Sequence, residues 1–120
     1  MSTIDRKALI REYKESSRPA GIYCVRNTSS GRSLVGSTPD LPGMLNRQRF
    51  QLEMGSHPDR ALQADWNELG PGVFEFEVLD RLEQRDEPGY DPIDDLAVLK
   101  GLWLERLIDA GVGLYRQSRR

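Results

Sequence analysis

The chain has 120 residues, 38% hydrophobic and 30% charged, with a mean hydropathy of -0.60. That is one domain with one modest core, too apolar and too mixed in charge for a disordered segment. No apolar run approaches the ~18 residues of a membrane helix, so no membrane partner is expected. The N-terminus MSTIDRKALIREYK has no signal-peptide core. One cysteine excludes an internal disulfide, no Cys/His cluster forms a zinc site, and the expected location is cytoplasmic. The net charge of -2 hides an asymmetry. Residues 1–60 carry 10 basic and 6 acidic side chains, net +4, and residues 61–115 carry 4 and 13, net -9. The tail 116–120 adds three arginines. One face can therefore be basic, although the whole protein is no general polyanion binder.

Residues 3–15 predict an amphipathic helix with Ile4, Ala8 and Leu9 on one side, stopped before Pro19. Gly21–Arg26 and Ser33–Ser37 read as strands, and Asn27–Arg32 between them as a turn with Gly31 free for a positive φ, so the pair makes a hairpin. Asp40 caps a helix over about Leu41–Met54, whose apolar side is Leu41, Met44, Leu45 and Leu52, and Gly55 ends it. A second helix spans about Asp59–Leu69, with Leu62, Trp66 and Leu69 on one face and Gly70-Pro71-Gly72 as its stop. Val73–Asp80 alternates as a strand, Phe74, Phe76 and Val78 against Glu75 and Glu77. Residues 81–95 read as an acidic loop. Leu96–Ala110 is apolar around most of its circumference and predicts a central, buried helix. The tail GVGLYRQSRR reads as fraying, and the last helix with Tyr115 is available for a dimer surface. The order, α-β-β-α-α-β-α, predicts a small α+β fold in a single domain over 1–120.

Several residues carry chemistry in isolation. His57, the only histidine, is a general base or a loop residue between two helices. Cys24 is a small buried apolar residue rather than a nucleophile. Glu75 and Glu77 are paired carboxylates or the solvent face of a strand. Asp91, Asp94 and Asp95 lack the spacing of a calcium loop. Arg26, Arg32, Arg47 and Arg49, on the hairpin and the following helix, form the nucleic-acid face if they cluster.

Gly21-Ile22-Tyr23, then ten residues, then Leu34-Val35-Gly36-Ser37-Thr38, with Phe74-Glu75-Phe76-Glu77-Val78-Leu79 later, resembles the GIY-YIG endonuclease family over about residues 20–110. The resemblance implies a small three-stranded antiparallel sheet flanked by helices. It also implies cleavage of phosphodiester bonds, with a tyrosine that orients or activates water, a glutamate-held divalent metal and an arginine that stabilises charge on the phosphate. Tyr23 fits the first tyrosine. The second tyrosine position is Leu34, which has no hydroxyl, and the arginine position is Met44, with Arg47 one turn later. Anchoring on Trp103 puts Lys100 at the glutamate position, and an ammonium cannot bind a cation. Glu105 is the carboxylate in the middle of the apolar helix, about 140° around it from Lys100.

One of four implied catalytic positions is kept. The expected function is thus a catalytically degenerate GIY-YIG-type domain, with no cofactor, acting as a weak nucleic-acid-binding or interaction module. One alternative is an active endonuclease using Tyr23, Arg47 and Glu105, with Glu105 holding Mg²⁺ or Mn²⁺. A third reading is a pure protein-interaction module that uses the acidic loop. The expected partners are DNA or RNA, or another protein.

Overall fold

The hairpin turn is built by Asn27. Its Oδ1 accepts from the N–H groups of Ser29 (2.9 Å) and Ser30 (3.2 Å), and Gly31 follows at φ +82°. This geometry returns strand β1 (Ala20–Asn27) as strand β2 (Ser33–Thr38), antiparallel, with Val25 opposite Leu34 and Tyr23 opposite Gly36. The structure, a computed structural model, describes residues 19–83 and 89–115. The expected helix over 3–15, residues 84–88 of the expected loop and the basic tail 116–120 lie outside them.

Asp40 caps helix α1 (Leu41–Met54) by accepting from Gly43 N at 3.0 Å, and Gly55 closes it at φ +77°. Asp59 caps helix α2 (Arg60–Leu69) by accepting from Leu62 N at 3.0 Å. A short 3-10 turn, Pro71–Val73, leads into strand β3 (Phe74–Leu82), which pairs antiparallel with β1. The sheet order is β2-β1-β3. Helix α3 (Ile93–Asp109) follows.

Alternation sorts the sheet into two faces. Val25, Leu34 and Phe74 join Leu52 of α1, Leu62 and Trp66 of α2 and Tyr115 in one buried cluster. Trp66 packs its ring against Phe74 (centroids 5.4 Å apart) and Phe76 (6.2 Å). The opposite face carries Ile22, Cys24 and Val35, all buried, and α3 lies against β1 and β2. Trp103 of α3 donates to Asp80 Oδ2 at 2.8 Å, and Asp80 pairs with Ile22.

Three expectations are corrected. First, the segment read as a loop over 81–95 is strand through Leu82 and helix from Ile93. Arg81 and Leu82 pair with Gly21 and Ala20, and Asp94 and Asp95 sit in the first turn of α3, where the helix dipole favours carboxylates. Second, α3 is not enclosed. Leu96 is buried, but Val98, Leu102 and Ile108 are 64%, 54% and 59% exposed, because a helix lying on one side of a three-stranded sheet covers a single stripe. Third, the chain after α3 does not fray before Tyr115. Ser33 N donates to Gly113 O (2.9 Å) and Tyr115 N to Ser33 O (2.8 Å), so residues 113–115 line the outer edge of β2. Tyr115 is 1% exposed and is therefore core rather than dimer surface. Among the described residues no helix is long and apolar enough to cross a membrane.

Candidate functional site

The side chain of Tyr23 leaves β1 across the neighbouring strand. A Cβ at Gly36 would collide with the Tyr23 ring and hydroxyl, so it is the missing side chain at Gly36 that lets the ring lie over β2 and reach its edge. There the Tyr23 ring joins a cleft of about 210 Å³. Its walls are Leu34–Ser37 of β2, Gln48 of α1, His57, Pro58 and Asp59 of the α1–α2 connection, and Lys100 of α3. Burial pushes the Tyr23 hydroxyl above its usual 10.0, while the Arg47 guanidinium pulls the other way. The phenol therefore stays protonated near neutrality and offers a hydrogen-bond donor rather than a phenolate.

His57 is a wall residue with both ring nitrogens engaged. Nδ1 accepts from the Asp59 N–H at 3.0 Å, and Nε2 lies 2.6 Å from Gln48 Oε1. An accepting Nδ1 puts the proton on Nε2, which donates to Gln48. The His57 N–H donates to Gln63 Oε1 (3.0 Å), and Gln63 Nε2 donates to Leu52 O (3.0 Å), so this polar network ties α1 to α2. A ring so committed has no nitrogen left to act as a general base. Burial lowers its pKa below 6.5, so the folded protein resists a proton that the unfolded chain accepts. His57's contribution to stability is whole above pH 6.5 and is lost as pH falls through the depressed folded value. Urea midpoints measured from pH 7 down to pH 5 are expected to fall more steeply for the wild type than for His57→Gln.

The four candidate nucleic-acid arginines do not cluster. Arg26 projects on the α3 side of the sheet, where it bonds Glu75 and also Glu77 (2.7 Å). This also accounts for the two strand carboxylates, which compensate a guanidinium. Arg32 stacks over the Tyr115 ring and Arg49 over the Phe76 ring, each 4.3 Å from the centroid. Arg47 stands beside Arg49 and Phe50 along α1, close enough to act on Tyr23. Cys24 is buried, and burial raises its thiol pKa.

Of the residues singled out for catalysis, the structure brings Tyr23 and Arg47 within electrostatic reach of each other but leaves Glu105 exposed on α3, outside the cleft walls. Lys100 is the α3 side chain in the wall. Gln48, in the middle of α1, and His57 carry no sequence signal that marks them as wall residues. The cleft does not fit a divalent metal. Lys100 only donates, His57 has no free nitrogen, and Asp59, whose Oδ1 caps α2 and whose Oδ2 is buried without a hydrogen-bond partner, is the single carboxylate in the wall. Among the described residues no group of three or more Asp, Glu, His or Cys side chains could hold one.

No family model matches the chain. The structure is similar to the catalytic domain of the homing endonuclease I-TevI, with a TM-score of 0.63 and 29% identity, covering 83% of this chain and 99% of that domain. A variant of the I-TevI catalytic domain gives a TM-score of 0.65 and 26% identity, covering 85% and 96%. In sequence, the chain is 35% identical over 63 residues to intron-associated endonuclease 1 of enterobacteria phage T4. That match takes in 52% of this chain and a quarter of the phage protein's length.

Proposed function

We propose that this chain, a GIY-YIG endonuclease-like domain, binds nucleic acid weakly at the Tyr23 cleft and has lost phosphodiester hydrolysis. The observation that carries the reading is Lys100. It lines the cleft on the helix where the resemblance expects a metal-holding glutamate. Hydrolysis through that metal draws on several kcal/mol of charge stabilisation in the transition state. The protonated Tyr23 hydroxyl and Arg47 do not replace it. What remains is a cleft lined by the Tyr23 hydroxyl and Lys100, in a chain whose first 60 residues carry a net charge of +4. The relatives are named as endonucleases, which supports a nucleic-acid ligand for this cleft.

Two measurements test this. Incubation with mixed DNA and RNA forms and Mg²⁺ or Mn²⁺ is expected to leave the substrates intact. Cleavage that survives repurification and disappears in both Tyr23→Phe and Glu105→Ala would establish an active enzyme instead. In a titration of labelled DNA, binding is expected at low salt and is expected to weaken as salt rises. No binding at low salt would remove the nucleic-acid reading and leave the domain as a protein-contact module.

A further inference from the structure

Helix α1 buries Leu41, Gln48 and Leu52, and Gln48 lines the cleft. Its opposite side carries two large apolar residues one turn apart, Phe50 and Met54, 59% and 64% exposed. We infer that the Phe50 ring is a stacking platform for one unpaired base of nucleic acid, beside the Tyr23 cleft. This inference rests on the nucleic-acid reading above and specifies which strand state the site takes.

The helix period places the parts. Asn46 and Arg47 precede Phe50 by one turn, on the same outward face. With Gly43, Arg49 and Glu53 they line an open groove of about 330 Å³. Around the helix, Phe50 stands between Arg49 and Arg47. Arg49 is held on the β3 side, over the Phe76 ring. Arg47 is on the cleft side, next to the wall residue Gln48 and close enough to act on Tyr23. The groove sets these two guanidinium groups against the Glu53 carboxylate. The Asp40 carboxylate, at the N-terminal end of α1, accepts from the Gly43 N–H.

A phenyl ring left in water gains from any flat apolar surface that covers it. A base offers such a surface on either face, and an arginine beside the ring adds attraction for the base and for its phosphate. Bases inside a duplex are already stacked, so a ring on the crest of a helix meets only a base that is unpaired or turned out of the stack. A strand with one base on Phe50 passes Arg47 on its way to Tyr23, which makes the groove and the cleft one continuous track. A protein partner fits the face less well. Phe50 and Met54 stand among Asn46, Arg47 and Glu53, and two apolar side chains are few for the core of a stable protein interface.

The test is fluorescence anisotropy at low salt with a labelled single strand of DNA and with the blunt duplex of the same sequence. The wild type is expected to favour the single strand. Phe50→Leu keeps an apolar side chain and removes the flat face. It is expected to lose about tenfold in affinity for the single strand, or ~1.4 kcal/mol, and little for the duplex. Phe50→Trp keeps the flat face and is expected to match or exceed the wild type. Phe50 is exposed, so neither substitution disturbs the core. A single strand carrying 5-iodouracil is expected to crosslink to Phe50 on irradiation, as mapped by mass spectrometry. Single-strand affinity of Phe50→Leu equal to wild type, or equal losses on both substrates, overturns the stacking platform and leaves nucleic-acid binding intact. A wild-type dimer in sedimentation that Phe50→Leu dissociates also overturns it, because the face then belongs to a second copy. Absence of binding to either substrate by the wild type overturns the underlying reading.

Discussion

Replacing Gly21 by alanine is expected to destabilise the protein by about 3 kcal/mol, at the upper end of overpacking costs. The reason is space, since Gly21 does not lie in the left-handed region. A Cβ there would overlap the carbonyl oxygen of Asp80, stand 2.9 Å from Arg81 Cα and touch Leu41 Cδ1 at 3.0 Å. The first two are backbone atoms of β3, held by the ladder. They approach closely at the bulge, where the register moves from Ile22–Asp80 to Tyr23–Val78 and leaves Leu79 as the extra residue. Gly36 is a contrast. A Cβ there meets the end of the Tyr23 side chain, which can swing away at lower cost. Urea unfolding of Gly21→Ala should show a lower midpoint with an unchanged slope. A loss below about 1 kcal/mol would show that β3 moves freely past β1, and the bulge would then not be the constraint described.

This contrast separates what the sequence discloses from what it hides. The hairpin, α1, α2 and β3 carry local signals: Asn27 to Gly31 for the turn, Asp40 and Asp59 for the caps, Gly55 and Gly70 for the stops. Each signal acts within a few residues, so each is legible in one dimension. The start of α3 was hidden because its acids and Pro92 belong equally to a loop and to a helix N-terminus. Its exposure was hidden because hydrophobicity around a helix reports what can be buried, while the partner surface decides how much is.

The site divides along the same line. Tyr23 is legible through its motif, and the loss of the glutamate is legible as Lys100. Gln48 and His57 are not. They meet across the α1–α2 connection through a side-chain bond nine residues apart, which leaves no periodic trace. The four arginines failed as a cluster for a related reason. Nearness along the chain placed Arg26 with the rest, but strand alternation turned it to the other face, against Glu75 and Glu77. A charge count by segment locates the basic half but not the basic face.

Tyr115→Ala is expected to cost about 4 kcal/mol, within the range for deleting a buried aromatic. Against a total of roughly 5–15 kcal/mol for a small domain, that leaves the fold marginal. Tyr115 is among the largest fully buried side chains, and its ring closes the cluster of Val25, Leu34 and Trp66. Its hydroxyl donates to Asp65 Oδ2 at 2.6 Å and accepts from Asn27 Nδ2 at 3.0 Å. It thus joins α2 to the hairpin turn. Truncation leaves a cavity and two partners unsatisfied, whereas Tyr115→Phe keeps the packing and should lose only about 1–2 kcal/mol. The two variants separate packing from hydrogen bonding. Burial first, and the Asp65 hydrogen bond second, push the Tyr115 hydroxyl up to about 12. The unfolded chain gives up this proton near 10.0, so the stabilisation is whole below that pH and is lost as pH climbs toward 12. Tyr115→Phe should lack that component of alkaline unfolding. An alkaline profile identical to wild type would mean that this hydroxyl is not the buried group described. Because residues 113–115 fasten the chain leaving α3 to the edge of β2, loss of Tyr115 should also loosen the helix that carries Lys100 to the cleft.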